Sequence, residues 1–149
     1  MVGPSEIPIC YIPLYMNPAV ASALIQAARR VETRLEAALT SVGLSLAKFE
    51  ALALLVNQNR PIGLSELAVK LVCVRSNVTQ LVDRLEAEGL VKRAKDPADG
   101  RAVRAKVTAL GRKRYAVGSP VANAVLRDVA GKLSAVDSRK LKRALEAVQ

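Results

Sequence analysis

The chain has 149 residues, enough for one ordinary domain with a core of its own. Its 23 Lys and Arg against 13 Asp and Glu give a formal charge of +10, which calls for a polyanionic partner, while 51% apolar residues exclude a disordered basic tail. The absence of His excludes Ser-His-Asp triads, imidazole acid–base chemistry and His-containing zinc sites; Cys10 and Cys73 are too few for a disulfide framework, so a reduced, cytoplasmic protein is expected.

No charge occurs between Ile7 and Ala28. Pro8, Pro13 and Pro18 interrupt that span and only Glu6 stands ahead of it, so neither a membrane helix nor a secretory signal is expected. Residues 1–18 read instead as a Pro-punctuated arm whose Ile7, Ile9, Tyr11, Ile12, Leu14 and Tyr15 pack on another surface. Asn17-Pro18 is a helix start, a cap followed by proline at the first helical position. Leu24, Ala28, Val31, Leu35, Ala38 and Val42 then form one stripe ending near Gly43, suited to packing against another helix, including one from a second chain.

A second helix is expected after Ser45, with Phe49, Leu52 and Val56 inward, ending before Asn59-Arg60-Pro61. A short helix capped by Ser65 should bury Leu64, Leu67, Ala68 and Leu71. Val72-Cys73-Val74 is a brief connection in which Cys73 reads as a buried small hydrophobe. From Arg75 to Glu88, Val78, Leu81, Val82 and Leu85 follow i, i+3, i+4, i+7. The period then changes: a strand over Leu90–Lys95, a turn at Asp96-Pro97-Ala98-Asp99-Gly100, and a returning strand over Arg101–Val107. Thr108 caps a further helix that Gly118-Ser119-Pro120 should kink or restart. A last helix has a Ser134/Asp137 capping box and an inward face of Leu141, Ala144, Leu145 and Val148.

Two short helices joined tightly and followed by a hairpin make a winged helix-turn-helix. The fold class is therefore mainly α with a small β-wing. With its apolar face set aside, the second helix presents Arg75, Ser76, Asn77, Thr79, Gln80, Asp83 and Arg84, and its N-terminal half carries groups that pair with base edges. An ordinary solvated face would carry Glu and Lys pairs, and only Asp83, Glu86 and Glu88 fit that description. Charge sharpens the contrast. Residues 60–91 carry no net charge, whereas 92–114 carry nine basic residues against Asp96 and Asp99, a net of +7. Lys92, Arg93, Lys95, Arg101, Arg104 and Lys106 are the phosphate candidates, although strand alternation keeps them from sharing one face. No nucleophile–base pair, cofactor-binding motif or metal-ligand spacing suggests an enzyme.

The run from Glu66-Leu67-Ala68 through Arg75-Ser76-Asn77-Val78-Thr79-Gln80-Leu81-Val82-Asp83-Arg84-Leu85-Glu86 to Gly89-Leu90-Val91 resembles the MarR family of transcriptional regulators. Asp96-Pro97-Ala98-Asp99-Gly100-Arg101 is similar to that family's Asp-x-x-Asp-x-Arg wing, and Thr108-Ala109-Leu110-Gly111 to the Thr-x-x-Gly after it. The resemblance implies a homodimer joined through residues 19–43 and 112–149, with a winged helix-turn-helix over 44–111. It also implies a recognition helix in the major groove, Arg101 in the minor groove oriented by Asp99, and Ser76, Asn77, Thr79 and Gln80 at base-reading and phosphate positions. A pseudo-palindromic operator, a repressor function and release by a small-molecule effector complete the implied picture, although 3% aromatic residues offer little for a stacking pocket.

The chain departs from the family where Val72 and Val74 stand in place of the usual Gly and capping Ser, at Gly118-Ser119-Pro120, and in the arm. Cys10 has no basic neighbour in sequence to lower its pKa, unlike the thiol of the family's peroxide-sensing branch. An architectural DNA protein and an interaction protein that has lost DNA binding are the alternative classes.

Overall fold

The computed structural model describes residues 18–96 and 102–147. The arm with Cys10 and Asn17, the turn with Asp99 and Arg101, and Val148 lie outside the described residues. The elements run α1 (Pro18–Thr40), α2 (Leu46–Gln58), β1 (Ile62–Gly63), α3 (Leu64–Lys70), α4 (Arg75–Ala87), β2 (Val91–Lys95), β3 (Val103–Val107), α5 (Ala109–Lys132) and α6 (Ser138–Glu146).

Most boundaries have local causes. α1 opens on Pro18, where a missing N–H leaves no helix bond unmade. The Ser45 hydroxyl accepts from the Lys48 N–H at the start of α2, and Asn59 closes that helix in the left-handed conformation ahead of Pro61. The Thr108 hydroxyl caps α5 by accepting from the Gly111 N–H. The hairpin pairs Val91 with Val107 and Lys95 with Val103, and the Asp96 N–H donates to the Ala102 carbonyl at 2.9 Å. Sequence reading missed β1, a two-residue strand that adds Ile62 and Gly63 to the free edge of β3 opposite Ala105 and Arg104. It is too short for any alternation to reveal.

The core lies inside the winged region. Leu52 and Leu55 of α2, Ile62, Leu67 of α3, Val78, Val82 and Leu85 of α4, and Val91, Ala105 and Val107 of the sheet are buried together. Leu39 and Leu44 join them from the end of α1 and the loop after it.

Several expectations are corrected. Ser65 lies inside α3, whose cap position is Gly63 without a side-chain bond, because Ile62-Gly63 is held extended by β3 up to Leu64. α5 runs as one helix through Pro120 and does not restart there. The proline forfeits one rung, but Gly118 seats so closely on Leu39, Leu44 and Phe49 that a Cβ there would approach them to 2.9–3.2 Å, and Tyr115 stacks on Phe49 at 5.4 Å. α6 is capped by Asp137, whose carboxylate accepts from the Arg139 and Lys140 N–H groups, and not by Ser134.

Within the protomer α6 buries no residue: Leu141 is half-buried and Ala144 and Leu145 are exposed. In α1 the apolar stripe divides, with Val31, Leu35 and Ala38 half-buried and Leu24 and Ala28 exposed, because only the C-terminal half of the helix meets α2 and α5. Cys73 is exposed rather than buried. The turn reverses at Val72, and the Cys73 N–H reaches back to the Ala68 carbonyl at 3.0 Å while its side chain faces out.

Val72 itself holds φ at +51°, a left-handed conformation disfavoured for a β-branched residue, and is 93% exposed. Val72→Gly removes that strain without emptying any packing and is expected to stabilise the protein by about 0.5–1 kcal/mol. A thermal melt reads the change directly; a lower melting temperature for the variant would refute the strain.

Candidate nucleic-acid interface

The α3–turn–α4 unit holds α4 by burying Val78, Val82 and Leu85. That leaves Arg75, Ser76, Asn77, Gln80, Asp83 and Arg84 exposed on its other side. Among the described residues, the side chains of Arg75, Ser76, Asn77, Gln80 and Arg84 have no protein partner and remain available to a ligand. Thr79 is half-buried and its hydroxyl donates to the Arg75 carbonyl at 3.0 Å, which leaves the hydroxyl only acceptor capacity for a ligand. Val74 occupies the cap position of α4 with no side-chain bond, so the first N–H groups of the helix lack the hydroxyl acceptor that Ser or Thr would supply. Arg75 and Thr79 share a groove of about 290 Å³ with Ser65 of α3 and with Asp96, Ala102 and Val103 of the hairpin. Recognition helix and wing thus border one concavity.

The hairpin register sorts the basic residues. Lys92 lies directly across from Lys106, and Ala94 across from Arg104, on the face opposite to the buried Val91, Ala105 and Val107. Lys92 and Lys106 are exposed like charges in direct opposition, an arrangement that disfavours the bare hairpin and suits a bound anion. Lys95 is exposed at the far end of β2.

Arg93 and Arg104 differ from the lysines in being engaged. The Arg104 Nε donates to Asp96 Oδ2 at 2.6 Å. Arg93 stands on the core side of β2 and meets Asp83 at 2.5 Å, with its guanidinium also donating to the Thr79 carbonyl at 3.2 Å. Its backbone N–H donates to Glu86 Oε1 at 3.0 Å. At the base of the wing, hydrogen bonds from the Arg60 guanidinium hold the Glu66 carboxyl below the usual glutamate range, with Lys70 and Arg104 adding to the effect. Sequence reading missed these roles of Asp83, Glu86 and Asp96, since nothing in their spacing names a strand residue as partner.

A helix-turn-helix whose second helix offers unpaired polar and cationic groups beside a basic hairpin defines a winged helix-turn-helix protein. Residues 44–103 match the sequence model of the MarR family. It is 26% identical over 119 residues to the HTH-type transcriptional repressor IacR of Pseudomonas putida, covering 80% of this chain and 71% of that one. Sco3205 of Streptomyces coelicolor, a MarR family transcriptional regulator solved in complex with DNA, superposes with a TM-score of 0.82 at 26% identity, covering 88% of this chain and 87% of the other. The transcriptional repressor CouR bound to a 23-mer DNA duplex superposes with a TM-score of 0.69 at 28% identity, covering 87% and 88%. No described helix is long and apolar enough to cross a membrane.

Proposed function

We propose that the protein is a dimeric, sequence-specific DNA-binding repressor of transcription, acting in the cytoplasm and released from its operator by a small-molecule effector. The observation that carries this reading is the row of unpartnered side chains at the N-terminal end of α4, inside the segment that matches the MarR family. Arg75, Ser76, Asn77 and Gln80 enter the major groove, where their donors and acceptors pair with base edges and phosphates. Arg84, Lys92, Lys95 and Lys106 meet the flanking backbone. Arg101, oriented by Asp99, takes the minor groove, a role that rests on the family's Asp-x-x-Asp-x-Arg motif alone.

Dimerisation is supported by apolar side chains left outside the protomer's core. Val20, Leu24 and Ile25 on α1, Leu126 and Leu133 toward the end of α5, and Leu145 on α6 are exposed. Together they are costly in water unless a second copy covers them. The two-fold axis of such a dimer requires a pseudo-palindromic operator with half-sites about one helical turn apart.

An effector site is supported by the groove of about 630 Å³ where the start of α5 meets the end of α4. Lys48, Lys113 and Arg114 outnumber Glu88 there, and Leu110 and Val117 add an apolar wall. Those groups fit a small organic anion.

Fluorescence anisotropy at fixed salt, comparing DNA from upstream of the protein's own gene with a scrambled duplex, tests the reading. A preference on the order of 10³-fold is expected for the upstream DNA. Arg101→Ala should weaken specific binding by about tenfold or more, the loss of one groove contact. Equal affinity for the two duplexes with a steep salt dependence would replace the reading with an architectural role.

A further inference from the structure

We propose that Arg93 is a positioning residue, which clamps the wing to the recognition helix and so sets the distance between the two groove contacts, rather than a phosphate contact. The proposal rests on the DNA-binding function above. Its acceptors Thr79, Asp83 and Glu86 lie at i, i+4 and i+7 on α4, so one side chain spans about two turns of that helix. The contact is made from both ends of the residue: the guanidinium reaches the Thr79 carbonyl and Asp83, and the Arg93 N–H anchors the strand itself to Glu86. Arg93 stands on β2 opposite Ala105, a buried residue of β3, so the clamp seats the hairpin on the helix at the edge of the core.

Charge makes the same point. Two carboxylates on a helix that must approach phosphates weaken binding by repulsion unless they hold something in place. Asp83 and Glu86 hold Arg93, which is half-buried between the strand and the helix. The Arg93 Nη2 is taken by the Asp83 carboxylate and the Thr79 carbonyl, and its Nε is buried 3.7 Å from Glu86, which turns the guanidinium toward the helix rather than toward the DNA backbone. Lys92, its neighbour in sequence, projects from the opposite face with no partner among the described residues. The strand thus alternates a clamp with a free cation.

Removal of a negative charge from a DNA-binding helix ordinarily tightens binding, which makes Asp83→Asn the informative variant. Full-length wild type, Asp83→Asn, Arg93→Gln and the double variant are compared on upstream and scrambled duplexes across a salt series. Each single variant should bind the upstream DNA on the order of tenfold more weakly, with the double variant no weaker than either. Affinity for the scrambled duplex should stay within about twofold for Asp83→Asn, and its salt slope should not change.

A fall of about 0.9 in the salt slope for Arg93→Gln would mark a lost phosphate contact and overturn the proposal. Tighter or unchanged upstream binding by Asp83→Asn would overturn it too, as would additive losses in the double variant. A readout without DNA separates this inference from the functional one. Hydrogen exchange of the amides in 91–95 and 103–107 should quicken in Asp83→Asn while α2 and α5 keep their protection. Unchanged exchange in the hairpin refutes the clamp whatever the protein does with DNA; a wild type that ignores its upstream DNA refutes the functional reading even where the exchange result holds.

Discussion

Gly111→Ala is expected to destabilise the protein by about 3–5 kcal/mol, a large fraction of the stability of an ordinary domain. A Cβ at this position would lie 2.1 Å from the Leu90 carbonyl oxygen and 2.8 Å from Val107 Cγ2. The first neighbour is backbone and cannot rotate away. It is also committed, since the Leu90 carbonyl accepts from the Thr108 N–H at 3.0 Å, while the Thr108 hydroxyl donates to the neighbouring Gly89 carbonyl at 2.7 Å and caps Gly111. The glycine therefore marks the point where the first turn of α5 presses on the entry to the wing, and any side chain separates the two. Denaturant unfolding measures the loss. Gly118→Ala is the comparison: its neighbours at 2.9–3.2 Å are the ends of Leu44, Phe49 and Leu39 side chains, which can shift, so the cost falls to about 1–3 kcal/mol. Equal stabilities for the two variants would contradict the distinction between backbone and side-chain contact.

The double substitution Leu141→Asp, Leu145→Asp is expected to give a folded monomer with at least about a hundredfold weaker operator binding, because two half-sites can no longer be held by one particle. α6 buries nothing within the protomer, and its apolar side chains face a groove shared with Leu133 and Val136. Their replacement should leave the melting of the winged region within about 1 kcal/mol of wild type, the range of ordinary surface substitutions. Sedimentation equilibrium gives the association state and anisotropy the affinity. A variant that stays dimeric would remove α6 from the interface, and one that unfolds would show that α6 supports the protomer after all.

Much of this protein was legible from local pattern. The recognition helix falls within one residue of its expected span because four apolar residues at helical spacing leave only one face to bury. The start of α2 after Ser45 and the cap at Thr108 follow from short hydroxyl side chains placed just ahead of apolar periods. The hairpin strands Val91–Lys95 and Val103–Val107 were found by a change of period. The match of residues 44–103 to the MarR family model was legible too, since the motif residues are contiguous in sequence.

The misreadings share a different origin. Cys73 looked buried because it is small and apolar, yet a left-handed Val72 turns it outward, and backbone handedness leaves no trace in composition. Pro120 looked like a kink or a restart, yet the helix does not restart there, and Gly118 packs on residues about 70 to 80 positions earlier. Asp83 and Glu86 looked like solvated charges until a strand brought Arg93 across them.

The sequence by itself determined where the helices and the two hairpin strands lie, which helix face is apolar and where positive charge accumulates, all properties of residues within a few turns of one another. Only the tertiary structure decided which cations are free and which are held, since pairing depends on atoms meeting within about 4 Å across elements. Lys92 and Arg93 are neighbours in the chain and equal in charge; the pleat of one strand sends the first to solvent and the second to the recognition helix.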